Sequence, residues 1–214
     1  MNTFLYALVY TSISSALIPV SLFLIKRKKG YVVTIFILAV ISFLFDIINL
    51  FIVFNGYGGF YSFNTYFIFQ FLLLSYSFAQ LLSNRKLIYT ATALYSVLYI
   101  FFILMFDRFN DFQSGLRTIE DVVLLTYCVL YYRQLMITLP AQKIWHYSPF
   151  WINTAVFLYF SFNLFLFIIA NYVFTNLPAD AGMLVWGFHN VNNIVKNILF
   201  AVGIYYAGKK QEAL

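Results

Sequence analysis

Apolar residues fall in seven stretches, at positions 3–25, 31–54, 64–82, 87–106, 118–139, 149–174 and 183–207. Each is long enough for a helix to cross a hydrocarbon core of about 30 Å. Short polar breaks separate them. These are the basic run Lys26, Arg27, Lys28 and Lys29, the uncharged NGYGGFYSF, the turn SNRK, the mixed-charge DRFNDFQSGLR, a turn marked by Pro140 and Lys143, and TNLPADAG. The pattern predicts an all-α integral membrane protein, a seven-helix transmembrane bundle forming one domain over 1–214. Pro19 lies inside the first stretch and predicts a kink there, because proline lacks an N–H and its ring crowds the preceding turn. Pro149 opens the sixth stretch, in a favourable first-turn position.

Polar residues inside these stretches recur at steps of three and four, so they share helical faces. In the last stretch His189, Asn192, Asn193, Lys196 and Asn197 fall on one face, and Val191, Ile194, Ile198 and Val202 on the other. The second stretch carries Ser42, Asp46 and Asn49, and the third carries Gln70, Ser75, Ser77 and Gln80. Glu120 and Asp121 stand near the start of the fifth, and Asn153, Asn163 and Asn171 lie in the sixth. A charge at the centre of a membrane helix costs about 2.5–3.5 kcal/mol on insertion scales, so Asp46 and Lys196 are expected to turn inward and find partners. The sixth-stretch asparagines and Gln80 read as hydrogen bonds between neighbouring helices. Gly203 and Ala207, four apart, predict a close-packing notch.

Composition sharpens the class. The chain is 63% hydrophobic and 9% charged, against about a quarter charged in soluble chains. A soluble enzymatic domain has no room, and no HExxH or GxSxG motif is present, so no enzyme and no catalytic or metal-binding residue is expected. The net charge of +6 is no sign of a nucleic-acid partner, because the basic residues sit in short inter-helix segments. Cys128, the single cysteine, excludes an intrachain disulfide and a CxxC metal site. MNTFLYALVY has no basic region before its apolar run, so the first helix is expected to be retained as a span. With the N-terminus outside and the C-terminus cytoplasmic, ten basic residues face the cytoplasm and two, Arg108 and Arg117, face outward. That bias predicts the orientation. The expected location is the bacterial inner membrane, with the lipid bilayer as the first partner.

At about 1.5 Å per residue, Asp46 lies about 12 Å and Lys196 about 20 Å from the outer ends of their helices. Helical side chains lean toward the N-terminus. The seventh helix enters from outside and the second from inside, so Lys196 and Asp46 lean toward each other. The sequence therefore predicts an Asp46–Lys196 pair, direct or water-bridged, lined by Asn49, Gln70, His189, Asn192 and Asn193, on helices two, three and seven as neighbours. Glu120 and Asp121, about one turn into the fifth helix, read either as a solvated helix start that favours acids or as part of this pocket.

PFWINTAVFLYFSFNLFLF, WGFHNVNNIVKNILFAVG and TYFIFQFLLLSYSF together resemble a group of small seven-helix membrane proteins of Bacteroidota. Similar modules accompany sensor histidine kinases. The group's third helix is expected to carry an acid where Gln70 stands here. The resemblance implies a sensory role with no catalytic residues, and a histidine kinase or other signalling partner at the cytoplasmic face. The residues themselves predict a receptor-like protein binding a small molecule or lipid in the outer half of the bundle. A small-solute transporter of the SWEET-like three-plus-one-plus-three form is the alternative. A further one is a retinal protein with Lys196 as the Schiff-base lysine, against which stand Asn192 and Gln70 where microbial rhodopsins carry acids.

Overall fold

The computed structural model describes residues 3–26, 30–55, 60–106, 113–138, 140 and 143–207. Arg27, Lys28, Lys29, Arg108, Lys209 and Lys210, which enter the charge count, lie outside these residues, as do the side chains of Lys26 and Asn171. Among the described residues there is no strand. The helices are α1 (Thr3–Ser15), α2 (Leu17–Lys26), α3 (Tyr31–Phe54), α4 (Tyr61–Leu81), α5 (Arg85–Phe106), α6 (Ser114–Thr138), α7 (Ser148–Asn176) and α8 (Ala179–Tyr206), with a 3-10 turn at Ile144–His146 before α7.

The first stretch forms a single rod broken at Ala16 into α1 and α2, the kink that Pro19 predicts. Proline cannot donate to the carbonyl four residues back, and its ring pushes that carbonyl aside. Here that carbonyl belongs to Ser15, the last residue of α1. The Ala16 amide falls back on the Ile13 carbonyl at 3.3 Å, a tighter turn. Ser15 donates its hydroxyl to the Ser12 carbonyl at 2.6 Å. Gly30, at φ 67°, turns the chain into α3, a left-handed conformation that disfavours any Cβ.

The rods close into a ring. α8 packs between α7 and the broken α1–α2 rod, α2 meets α3, α3 meets α4, and α4 returns through α6 to α7. α5 lies outside the ring, against α4 and α6. Polar side chains bind the neighbours. Gln80 donates to Thr34 at 3.3 Å, joining α4 to α3. Gln134 of α6 accepts from the Ser83 amide and hydroxyl at 2.9 and 2.7 Å and donates to the Leu81 carbonyl at 2.9 Å, fastening α6 to the α4–α5 turn. Tyr99 of α5 donates to the Asn64 carbonyl of α4 at 2.9 Å. Where α8 crosses α7, a Cβ on Gly203 would stand 2.7 Å from Ile152 Cγ1. That is the notch the small residues predict.

The surface is inverted relative to a soluble protein. Arg117, Glu120, Asp121 and Lys196 are buried, while Leu104 is 76% and Phe165 71% exposed. Four rods, Thr3–Ile25, Tyr31–Phe54, Arg85–Met105 and Ser148–Asn176, are long and apolar enough to cross a membrane, as in an integral membrane protein. The other three, α4, α6 and α8, carry the polar stripes that lower their hydropathy. One expectation fails at α6. It begins at Ser114, four residues early, so Arg117 belongs to the helix and not to a loop. The solvated start expected at Glu120 and Asp121 fails with it, since both are 0% exposed.

Candidate functional site

The polar face of α8 divides among three neighbours. Asn193 and Asn197 donate to Ser12 and Ser15 at 3.0 and 2.8 Å. Both sit where the Pro19 break loosens the α1–α2 rod, so these two asparagines clamp the break. Asn193 is therefore a clamp between helices and not a pocket wall. On the other flank Asn192 donates to the Tyr159 carbonyl of α7 at 2.9 Å, and His189 Nδ1 meets Asn163 Oδ1 at 3.0 Å. Lys196 lies between the flanks, 3% exposed, with its ammonium 4.4 Å from the centre of the Tyr159 ring. Its Nζ has no hydrogen-bond partner in the protein.

Asp46 and Lys196 act on each other electrostatically, as their leaning directions predict. They are not in contact. Arg117–Glu120 is the one ion pair within 4.0 Å among the described residues. Asp46 is half-buried and its Oδ2 is unpartnered, as is Asn49 Nδ2 one turn along α3. Helix packing explains the gap. α3 barely touches α8, and α8 draws its main contacts from α7 and from α1–α2. Helices two, three and seven therefore do not form the compact trio expected of the pocket. They face one another across the ring interior.

What fills that interior is α7 and α6. Tyr159 is 3% exposed and interacts electrostatically with Gln70 of α4 and with both Asp46 and Asp121. Asp121 of α6 is 0% exposed and neither carboxylate oxygen has a protein partner. Gln70 is 1% exposed and its Nε2 is likewise unpartnered. Five helices thus send Asp46, Gln70, Asp121, Tyr159 and Lys196 into one polar layer. One turn away along α6, Arg117 pairs with Glu120 at 2.6 Å, both side chains 2% exposed or less. The Arg117 guanidinium lies over the Phe67 ring, and Glu120 Oε2 also accepts from Tyr95 at 3.3 Å.

Buried polar groups in folded proteins are nearly always hydrogen-bonded. A layer with an ammonium, an amide nitrogen and three carboxylate oxygens left over, on Lys196, Gln70, Asp46 and Asp121, is therefore built to be completed by water or a solute. Of the residues the sequence singles out, Asp46, Gln70 and Lys196 belong to the layer. Asn49, His189 and Asn192 border it, Asn193 supports it from behind, and Glu120 is occupied by Arg117. Asp121 belongs to the layer, the second of the two readings the sequence leaves open for it, whereas the sequence reading does not single out Arg117 or Tyr159 for the site. Arg117, Glu120, Asp121, Leu124 and Cys128 recur at steps of three and four, and that spacing was the available signal for an inward face. The chain matches no known protein-family model, no curated protein and no solved structure.

Proposed function

We propose that this chain is a seven-span, receptor-like protein of the bacterial inner membrane, N-terminus outside, that binds a small polar solute in the layer between α3, α4, α6, α7 and α8. The observation that carries the reading is the buried, unpartnered ammonium of Lys196 across from an unpartnered carboxylate oxygen of Asp46, in a layer where both oxygens of buried Asp121 are also unpartnered. Intramembrane charges are costly, and those kept without a protein partner mark solute or ion sites more often than packing. The orientation rests on the excess of basic residues at one side. Placing Arg117 inside α6 raises that bias from ten against two to ten against one. In the sensory reading the output passes through helix contacts to a separate signalling partner, such as the histidine kinases that similar Bacteroidota modules accompany.

The test is a thermal-unfolding screen of the purified protein against metabolites, sugars, lipids and retinal, run beside Asp46→Asn and Lys196→Met. A solute that stabilises the wild type by binding its folded state, fails to stabilise Asp46→Asn and shifts Lys196→Met by a different amount supports the site. Equal shifts in all three forms refute it. A transporter remains the second reading, favoured by the place of α5. Outside the ring, α5 separates three preceding rods from three following ones, the arrangement of a three-plus-one-plus-three carrier. Uptake of the stabilising solute into proteoliposomes distinguishes transport from reception.

A further inference from the structure

The charged groups of the layer are not all paired. Arg117 and Glu120 neutralise each other in a contact of 2.6 Å. That leaves Asp46 and Asp121 as acids with unpartnered oxygens, and Lys196 as the other cation of the layer. Asp121 is the less compensated of the two. Its near charged neighbours are Glu120, which repels it, and Arg117, whose closest contact is with Glu120. Both Asp121 oxygens are free to accept, and Tyr159, whose ring faces the Lys196 ammonium, interacts electrostatically with Asp121. A carboxylate next to an aromatic face is the chemistry that recognises an alkylammonium. Among the described residues no three His, Cys, Asp or Glu side chains are grouped to hold a metal ion, so an organic group that donates hydrogen bonds fits the free Asp121 oxygens better than a metal ion does.

We propose that the solute of this site is a small organic cation, with its ammonium on Asp121 and its second polar group in the gap between Asp46 and Lys196. The proposal rests on the binding reading above and names its ligand class. It also assigns Lys196 an unexpected part. Lys196 is a built-in competitor, a tethered cation that partly satisfies Asp46 when no solute is bound.

That assignment gives a test of opposite signs. Purified protein is titrated with 1,4-diaminobutane and ethanolamine, and with succinate as the charge-reversed control, while thermal unfolding is followed in the wild type, Asp121→Asn and Lys196→Met. The expected result is that the amines stabilise the wild type and succinate does not. Asp121→Asn loses the response. Lys196→Met, relieved of the competing charge, binds the amines roughly tenfold tighter or better. Should Asp121→Asn fail to fold, as judged by circular dichroism, the Lys196→Met arm decides alone. Stabilisation by succinate in place of amines overturns the proposal. So does an amine response that survives in folded Asp121→Asn, one that vanishes in Lys196→Met, or the lack of any amine response in the wild type. A neutral or anionic solute whose effect both Asp46→Asn and Lys196→Met abolish would overturn this ligand class while leaving the proposed function standing.

Discussion

Arg117 and Glu120 offer the sharpest energetic test of the interior. Their side chains are 2% and 0% exposed and meet at 2.6 Å. Glu120 Oε2 receives one further bond, from Tyr95 at 3.3 Å, and Oε1 receives none. Arg117→Met leaves a buried carboxylate with one weak neutral donor, and breaking such a pair from one side costs about 3–5 kcal/mol. Replacing both partners, in Arg117→Met/Glu120→Met, removes the uncompensated charge. Tyr95 keeps its second acceptor, the Leu116 carbonyl at 3.2 Å, so no donor is stranded. Apolar replacement of a whole buried pair is often neutral or stabilising. The double variant should therefore be more stable than Arg117→Met by about 2 kcal/mol or more. The chain carries its own reporter, because Cys128 is the single cysteine and is 0% exposed. Maleimide labelling along a denaturant titration in detergent reads the fraction unfolded. If the two single effects add to within about 0.5 kcal/mol in the double variant, the residues do not act as a pair and the reasoning fails.

Other outcomes follow from packing. Gly203→Val places a branched side chain where even a Cβ would stand 2.7 Å from Ile152 Cγ1. It should cost about 1–3 kcal/mol, and Ile152→Ala should rescue part of that loss in the same titration. Asn193→Ala and Asn197→Ala each remove one bond to the α1–α2 break. Each should cost about 0.6 kcal/mol, up to about 1.7, with faster amide exchange around Ala16. Gln134→Leu loses three bonds to the α4–α5 turn. It should raise proteolysis near Ser83 more than it lowers global stability, and unchanged cleavage there would refute the fastening role.

The rods were legible because membrane helices advertise themselves by length and hydropathy. The α1–α2 break was legible because Pro19 acts locally, on the turn just before it. Asp46 and Lys196 could be set facing each other from helix direction and side-chain lean alone. α6 was misjudged because a start bearing Arg117, Glu120 and Asp121 looks like a wet helix end in any reading that counts charges one at a time. Only the face they share with Leu124 and Cys128 shows that they point into the bundle. The α8 stripe was misjudged in a different way. Five polar residues on one face span a wide arc, and each edge of that arc meets a different neighbour. Which edge clamps and which binds depends on the packing order of helices distant in sequence, and one stripe does not carry that information.

The contact at Gly203 also has a mechanical meaning. α7 and α8 are locked together there, near one end of the bundle. Near the opposite end they are joined through Leu177 and Pro178, and Trp186 stacks on Phe174 at 6.0 Å beside a cleft of about 230 Å³. From Gly203 to Trp186 α8 runs seventeen residues, a length of about 26 Å. Between the Gly203 notch and the Phe174–Trp186 stack, Asn192 and His189 also bond α7, so the two helices are fastened along that whole length as one stiff unit.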